Sequence, residues 1–523
     1  MSRTQFKNNL KLTVLASTLA CVFSATTSAD SAKLTNPENR HSYQRFDSKD
    51  SNYVTWEAAG DYCKNVGGYL ATPTSESENT FIFNNLGDYT MWLGATNNNG
   101  GAWTWVTNEV WQYTNWELIE PNYCGGSNQY LHILSGHDGR WGDAPNPPNC
   151  YYPIYSFACE WNNSSLPPLV SLGDINKDNS PEIAVVAYNP TLKKSTATVK
   201  NAQTGGLIKQ IPLNGQFVPT KANVLPDLNG NGAPEIAVLG VRSSDQAVQV
   251  EVRDSLSGVK LSAVSFDSTF NPLDLGVVRD INGKGTAGLA VLQQSDTELR
   301  VQLKNALSGV EIGNINFSAG YKGIDLIVLG DLNGNRAKEI AVLADNKIVT
   351  AADTVEIRDS KTGVLIRTIS YGTGKDLQQL INLPDLNNSG GAELAVLRAN
   401  TARVLVKDAK TGLAVNTLNY AVSQPFRLAT IADSRTQTNL AMLGVRTATG
   451  QPRADVHDPL SDTFINKVVF DNYGTTVGFI SIPDINGNGV AELVRLREQP
   501  GPQKLFAEVR DGRTGLLLQG MYF

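Results

Sequence analysis

Histidine is scarce. The 523 residues contain four, His41, His132, His137 and His457, and none has a nucleophile or second ligand at motif spacing. Cysteine is scarce and confined: beyond Cys21 there are only Cys63, Cys124, Cys150 and Cys159. No CxxC or Cys–His cluster points to zinc. Tryptophan is missing from the last two thirds of the chain, since all eight lie between Trp56 and Trp161. Positive charge is not in excess. The formal net charge is −6, which argues against nucleic acid or an anionic membrane surface as the main partner. No stretch is long and apolar enough to span a bilayer. An apolar content of 41% and an aromatic content of 8% still allow a sizeable core, and the length predicts two or three domains.

Residues 1–29 read as a secretory signal. Arg3, Lys7 and Lys11 make a basic start, Leu12 to Phe23 an apolar run, and Ala25 to Ala29 a small-residue cleavage region. Removing those three positive charges takes the net charge from −6 to −9. Thr18-Leu-Ala-Cys21 matches a lipoprotein box poorly, because its leucine is one place late. The four remaining cysteines are an even number, clustered, in a chain expected to be exported, so two disulfides are expected. Four cysteines allow three pairings, and spacing does not choose among them.

Residues 40–161 read as a compact domain. Trp56 to Val66 has apolar residues at helical spacing and stops at Gly67-Gly68. Thr74 to Asn84 predicts a second helix, capped by Thr74 or Ser75, with Glu78 near its first turn. Short strands and long polar loops follow. The ordered series Trp56-x-x-Ala-x-x-x-Cys63, Gly67-Gly-x-Leu70-Ala71-x-Pro73, Trp92-Leu-Gly-Ala, Glu120-Pro-Asn122, Trp141-Gly-Asp143 and Phe157-Ala-Cys-Glu160 resembles a C-type lectin domain. The resemblance implies an α+β fold with Trp92 in the core and disulfides Cys63–Cys159 and Cys124–Cys150. It also implies a calcium held by Glu120, Asn122 and Asp143, with two sugar hydroxyls completing the shell. Calcium takes six to eight oxygens flexibly, so a diol can serve as ligand. The Glu-Pro-Asn form is associated with mannose-type sugars. Three positions depart from the pattern. Asn128 stands where the family has glutamate, Gly142 where it has asparagine, and Cys124 lies earlier than usual, its place taken by Tyr130. The alternative is a lectin-like fold that binds protein through this loop. Trp116 and Tyr123 flank the loop and could stack on a sugar, although a tryptophan here also suits the core.

Residues 162–168, Asn-Asn-Ser-Ser-Leu-Pro-Pro, read as a short stiff linker. Residues 169–523 repeat at a period of about fifty. Each repeat carries a loop like Asp227-Leu-Asn-Gly-Asn-Gly-Ala-Pro-Glu235, with oxygens at positions one, three, five and nine. An EF-hand opens alike but ends in glutamate at twelve between helices; here the flanks read as strands. The candidate ligand sets are Asp174, Asn176, Asp178 and Glu182; Asp227, Asn229, Asn231 and Glu235; Asp331, Asn333, Asn335 and Glu339; Asp385, Asn387, Ser389 and Glu393; and Asp484, Asn486, Asn488 and Glu492. Two copies are spoiled. The third has Lys284 and Gly288 at positions five and nine, and the sixth, from Asp433, is two residues short. After each loop comes an alternating strand, a turn such as Arg253-Asp-Ser-Leu-Ser-Gly258, and a strand closing on an aromatic such as Phe266 or Phe523, except in the first repeat, which closes at Leu213. Four strands repeated seven times predict an all-β seven-bladed propeller, its repeats starting near 170, 222, 275, 326, 380, 428 and 479. The loops resemble FG-GAP repeats of integrin-α-like propellers, which implies calcium in a structural role.

The combined expectation is a secreted or cell-surface, calcium-dependent carbohydrate-binding protein and not an enzyme. Its partner would be a glycoconjugate, or a surface protein, with no nucleic acid and no membrane span. The alternatives are a polysaccharide-acting enzyme with a catalytic propeller, and a protein-interaction module with a degenerate lectin site.

Overall fold

The computed structural model describes residues 31–523 apart from 32–33, 37–40, 49–52, 66–67, 98–100, 108, 110, 124–125, 127, 148–153, 162–165, 190–191, 243, 280–285, 296, 347–350, 374–376, 399–400, 435–437, 447–448 and 500–504. The expected signal, the Cys124–Cys150 pair, Lys284 and residues 162–165 of the expected linker therefore lie outside the described residues. The chain divides into two compact units, residues 1–163 and 164–523.

In the first unit, helix α1 spans Trp56–Asn65 and helix α2 spans Glu76–Leu86. Ser75 caps α2 by accepting the Glu78 N–H at 3.2 Å. One sheet runs in the order Leu34–Thr35, Ser42–Asp47, Ser156–Trp161, Met91–Asn97, Gln129–Ile133, Trp141–Ala144. Its first long strand pairs antiparallel with its last in sequence. The disulfide Cys63–Cys159, with Cα atoms 5.4 Å apart, ties α1 to that closing strand. Trp92, Trp105 and Trp141 are fully buried. The indole N–H of Trp92 donates to the Val54 carbonyl at 2.7 Å, and that of Trp141 to Asn79 Oδ1 at 2.6 Å. Trp92 and Trp141 thus supply apolar volume without stranding their donors, whereas the indole N–H of Trp105 is buried without a partner.

The second unit is a ring of seven antiparallel sheets, each built from four consecutive strands. In blade 2 these are Phe217–Leu225, Glu235–Arg242, Val248–Asp254 and Lys260–Phe266. The innermost strands neighbour one another around the axis, and that of blade 7, Thr475–Ile482, meets that of blade 1, Leu169–Gly173. Second strands such as Glu235–Arg242 and Glu339–Asn346 are apolar runs because adjacent blades cover both of their faces. Among the described residues no strand is exchanged to close the ring. Ile183, Val185 and Ala202 of blade 1 pack instead against Val494, Leu496 and Val509 of blade 7, and Gln203 Nε2 donates to the Ile485 carbonyl at 3.0 Å. Gly258, Gly363, Gly412 and Gly515 hold φ between 70° and 77° in the outer turns, as the turn pattern requires.

Candidate functional site

Asp143 lies in the strand Trp141–Ala144 and is 4% exposed. The preceding loop is laid along that strand by the bond from Glu117 N–H to the Trp141 carbonyl, 2.9 Å. Asp143 then accepts the backbone N–H groups of Asn122 at 2.7 Å and Tyr123 at 3.0 Å. Glu120 Oε1 accepts from Asn122 Nδ2 at 2.8 Å, and the Glu120–Pro121 bond is cis. Glu120, Asn122 and Asp143 thus meet at one edge of the unit. Burial, then a hydrogen bond with the neighbouring Asp143, pushes the Glu120 carboxyl up to about 7. Two acids this close need a positive charge between them, from a proton or a cation, so the donor set fits a hard cation. Asn128 is exposed just before the strand Gln129–Ile133.

Gly142 has a packing reason. A Cβ there would sit 3.0 Å from the His132 imidazole. His132 is buried, stands edge-on to Trp92 and has its pKa pulled down to about 4 by burial, so it is a neutral core side chain. Trp116 packs with Trp103, Trp111 and Trp141 and belongs to the core. Tyr123 is 47% exposed.

A second cluster escaped the reading of the sequence. Glu160 is fully buried. Its carboxylate meets His41 Nδ1 at 2.5 Å, the Tyr69 hydroxyl at 2.7 Å and the Thr72 N–H at 2.7 Å. Glu78 joins it, accepting the Thr74 N–H at 2.7 Å and the Tyr43 hydroxyl. Ligand atoms of His41, Glu78 and Glu160 lie within 4.8 Å of one another. Burial pulls the His41 pKa down, but the bond to Glu160 and the surrounding acids outweigh it and hold it up. No spacing signals this cluster, because 119 residues separate His41 from Glu160.

In the propeller, the nine-residue loops join the innermost strand of a blade to the next. In blade 2, Asp227 accepts the N–H groups of Gly230 at 2.7 Å and Gly232 at 2.7 Å. Gly232 has φ +88°, yet Asn179 and Arg336 hold the same place at φ 70° and 69°. Glycine suits that position but is not required there. Glu235 accepts the Leu228 N–H at 2.9 Å through one oxygen, while its other oxygen is buried without a partner. Glu339 repeats this in blade 4. Burial, then nearby acids, pushes the carboxyls of Glu235, Glu339 and Glu492 up to about 7 and raises those of Glu182 and Glu393. An orphaned carboxylate oxygen beside a loop of oxygens fits a calcium ion.

The strand pairing brings in residues that the loop pattern missed. Asp254 stands directly across from Glu235, Asp359 from Glu339, and Asp408 from Glu393. The Arg/Lys-Asp turn signature marks them, but its contact with the loop of the same blade emerges only once two hairpins fold together. A further polar ring runs on the inner strands. Asp274 accepts the Leu326 N–H of the next blade at 3.0 Å, Asp325 the Leu380 N–H at 2.9 Å, and Gln379 the Leu428 N–H at 2.7 Å. Lys221 in blade 2 cannot accept, and it pairs with Asp274 at 2.8 Å.

Residues 52–160 match the family model described as lectin C-type domain. The chain is 30% identical over 114 residues to asialoglycoprotein receptor 2 of Rattus norvegicus, covering 20% of this chain and 35% of that protein. It is 32% identical over 96 residues to C-type lectin domain family 4 member K of Homo sapiens, covering 17% of this chain and 29% of that protein. The match thus spans about a third of these relatives' length. Among solved structures, the cow C-type carbohydrate-recognition domain of CD23, in the presence of a GlcNAc2Man3 oligosaccharide, aligns at 25% identity and TM-score 0.20, covering 25% of this chain and 97% of that chain. The chain therefore carries a C-type lectin fold and, separately, a seven-bladed all-β propeller.

Proposed function

We propose that this chain is an exported carbohydrate-binding protein whose lectin unit reads sugar diols through calcium, and whose propeller is a calcium-stabilised scaffold. The observation that carries the reading is the convergence of Glu120, Asn122 and Asp143 on one edge, with Glu120 titrating near 7. Calcium, when bound, supplies an oxygen-coordinating centre that two adjacent hydroxyls can enter. Asp143 fixes the loop by holding the N–H groups of Asn122 and Tyr123. Glu120 and Asn122 present the remaining oxygens. Exposed Tyr123 offers a face to an apolar sugar surface. The Glu-Pro-Asn form favours mannose-type diols. The matched relatives carry the same domain type, which supports the carbohydrate reading over catalysis.

A glycan array on the full chain, with and without chelator, tests this. Wild type is expected to bind mannose-type glycans only with calcium, and Glu120→Ala and Asn122→Ala to abolish binding while the fold persists by circular dichroism. Binding that survives both the chelator and the substitutions would sink the calcium–sugar model. Release of reducing ends from a bound polysaccharide would favour an enzyme.

A further inference from the structure

In four blades a buried acid outside the nine-residue loop lies beside the loop's closing glutamate. In blades 2, 4, 5 and 7 the outer turn carries Asp254, Asp359, Asp408 or Asp511. Each is at most 3% exposed and faces a glutamate that is 0% exposed. Three of these pairs are directly opposite across adjacent strands, and the Leu493–Arg510 pairing puts Glu492 beside Asp511 in the fourth. Like charges directly opposite destabilise a sheet, and burying them without compensation costs more. The chain nevertheless does it four times.

Turn capping does not explain the choice of aspartate. The first oxygen of Asp254 accepts the Ser257 N–H at 2.5 Å. The same cap is made by Asn201 at 2.8 Å to Thr204 and by Asn305 at 2.8 Å to Ser308. Either residue caps, so capping does not require the charge, although blade 6 keeps Asp458 as a cap beside its shortened loop. The second oxygen of Asp254 receives the amides of Asn229 at 2.9 Å and Asn231 at 2.7 Å. Asp359 receives Asn333 and Asn335, Asp408 receives Asn387 and Ser389, and Asp511 receives Asn486 and Asn488.

Blade 1 reverses the arrangement. Its turn residue is Asn201, and the acid sits in the loop as Asp178. Asp178 now receives both amides, from Asn176 at 2.9 Å and Asn201 at 2.9 Å. The acid has moved from the turn to loop position five, and the amide or hydroxyl has moved the other way. All five blades therefore keep three carboxylates: the first loop aspartate, the ninth-position glutamate, and one acid shared between position five and the turn. The spoiled third copy, with Lys284, Gly288 and Asn305, keeps no such set. The buried, unpartnered oxygens of Glu235 and Glu339 point to what the sets await, and both glutamates feel the charges of the loop and turn acids around them.

We infer that Asp254, Asp359, Asp408 and Asp511 are cation ligands, each joining the outer turn of its blade to the loop and fixing the site at three carboxylates. The inference rests on the calcium reading of the loops. A set of three carboxylates with neutral oxygens suits a hard divalent ion, and the ion would reinforce two hairpins already joined by strand pairing and by the amide bonds to the turn acid.

Calcium titration calorimetry on the full chain, with thermal unfolding in calcium and in chelator, tests the inference. Wild type is expected to bind five propeller calcium ions. Asp254→Asn keeps the cap and removes one charge, so one site should weaken about tenfold or more. Adding Asn231→Asp to that variant rebuilds the blade 1 arrangement and should restore the site. Asp254→Asn with unchanged calcium affinity and stoichiometry overturns the inference while leaving the loop reading intact. A double variant that stays weak although folded also overturns it. Wild type with no calcium binding and no calcium-dependent shift in unfolding sinks the loop reading itself.

Discussion

At position 142 a single missing Cβ shapes the edge that carries Asp143. The strand packs so closely on His132 that asparagine, the residue the lectin pattern leads one to expect, would require the imidazole to move. Gly142→Asn is expected to destabilise the first unit by about 1–3 kcal/mol, as overpacked core sites do. Thermal unfolding checks this, and an unchanged midpoint would show that the imidazole yields freely. Glu120 and Asn122 were legible because they adjoin in sequence. Asp143 was legible only through the resemblance of Trp141-Gly-Asp143 to the lectin pattern. The role of His132 was not legible, since nothing in a strand sequence says which neighbour fills the space beside a glycine.

Among elements, the inner-strand ring is the clearest device the sequence concealed. Asp274, Asp325 and Gln379 occupy the same place in successive repeats, and each holds a backbone N–H of the next blade. Burial opposes ionisation of Asp274, but Lys221 holds it down at about 2. Burial, then the charge of Asp274, pushes Asp325 up to about 7. A raised pKa means the folded state binds the proton more tightly than the unfolded chain. Its contribution is therefore complete below the unfolded value near 3.9 and is lost as pH rises through about 7. Asp325→Asn keeps an acceptor for Leu380 and a donor for Asp274. It is expected to match wild type near pH 4 and to exceed its unfolding temperature by a margin that grows up to about pH 7 and persists at pH 8. A wild-type midpoint that fails to drop relative to the variant over that range would refute the shared proton. In the first unit, the disulfide closes a separation of 96 residues. Replacing Cys63 and Cys159 with alanine should cost about 3–5 kcal/mol by the chain-entropy estimate, read from urea unfolding of the full chain.

For the propeller as a whole, closure rests on side chains. Every blade owns its four strands, so the last seam has no ladder across it. Leu496, fully buried between blades 7 and 1, is as essential to the ring as Leu292 between blades 3 and 4. Leu496→Ala is expected to cost about 2–5 kcal/mol and to shift propeller unfolding as one transition. A variant in which blades 1 or 7 melt separately would show that the ring opens at its seam. On the proposed calcium reading, an ion at 100 times its dissociation constant would add about 2.7 kcal/mol per site. Chelation should therefore lower the propeller midpoint steeply, and coincident curves with and without chelator would argue against calcium.

Sequence alone specified the repeat count, the four-strand unit and the five intact loops, because those signals are local and recur at a fixed period. Capping also marked the helix starts, while Cys63–Cys159 followed from the resemblance to the lectin pattern and not from spacing. Only the tertiary structure joined residues that spacing cannot relate: Glu235 with Asp254, Asp178 with Asn201, His41 with Glu160, and Lys221 with Asp274 and Asp325. The reason is geometric. Strand register and blade packing place side chains across a sheet or between blades, and those distances are set by how hairpins fold onto one another, whereas a sequence pattern records only distance along the chain.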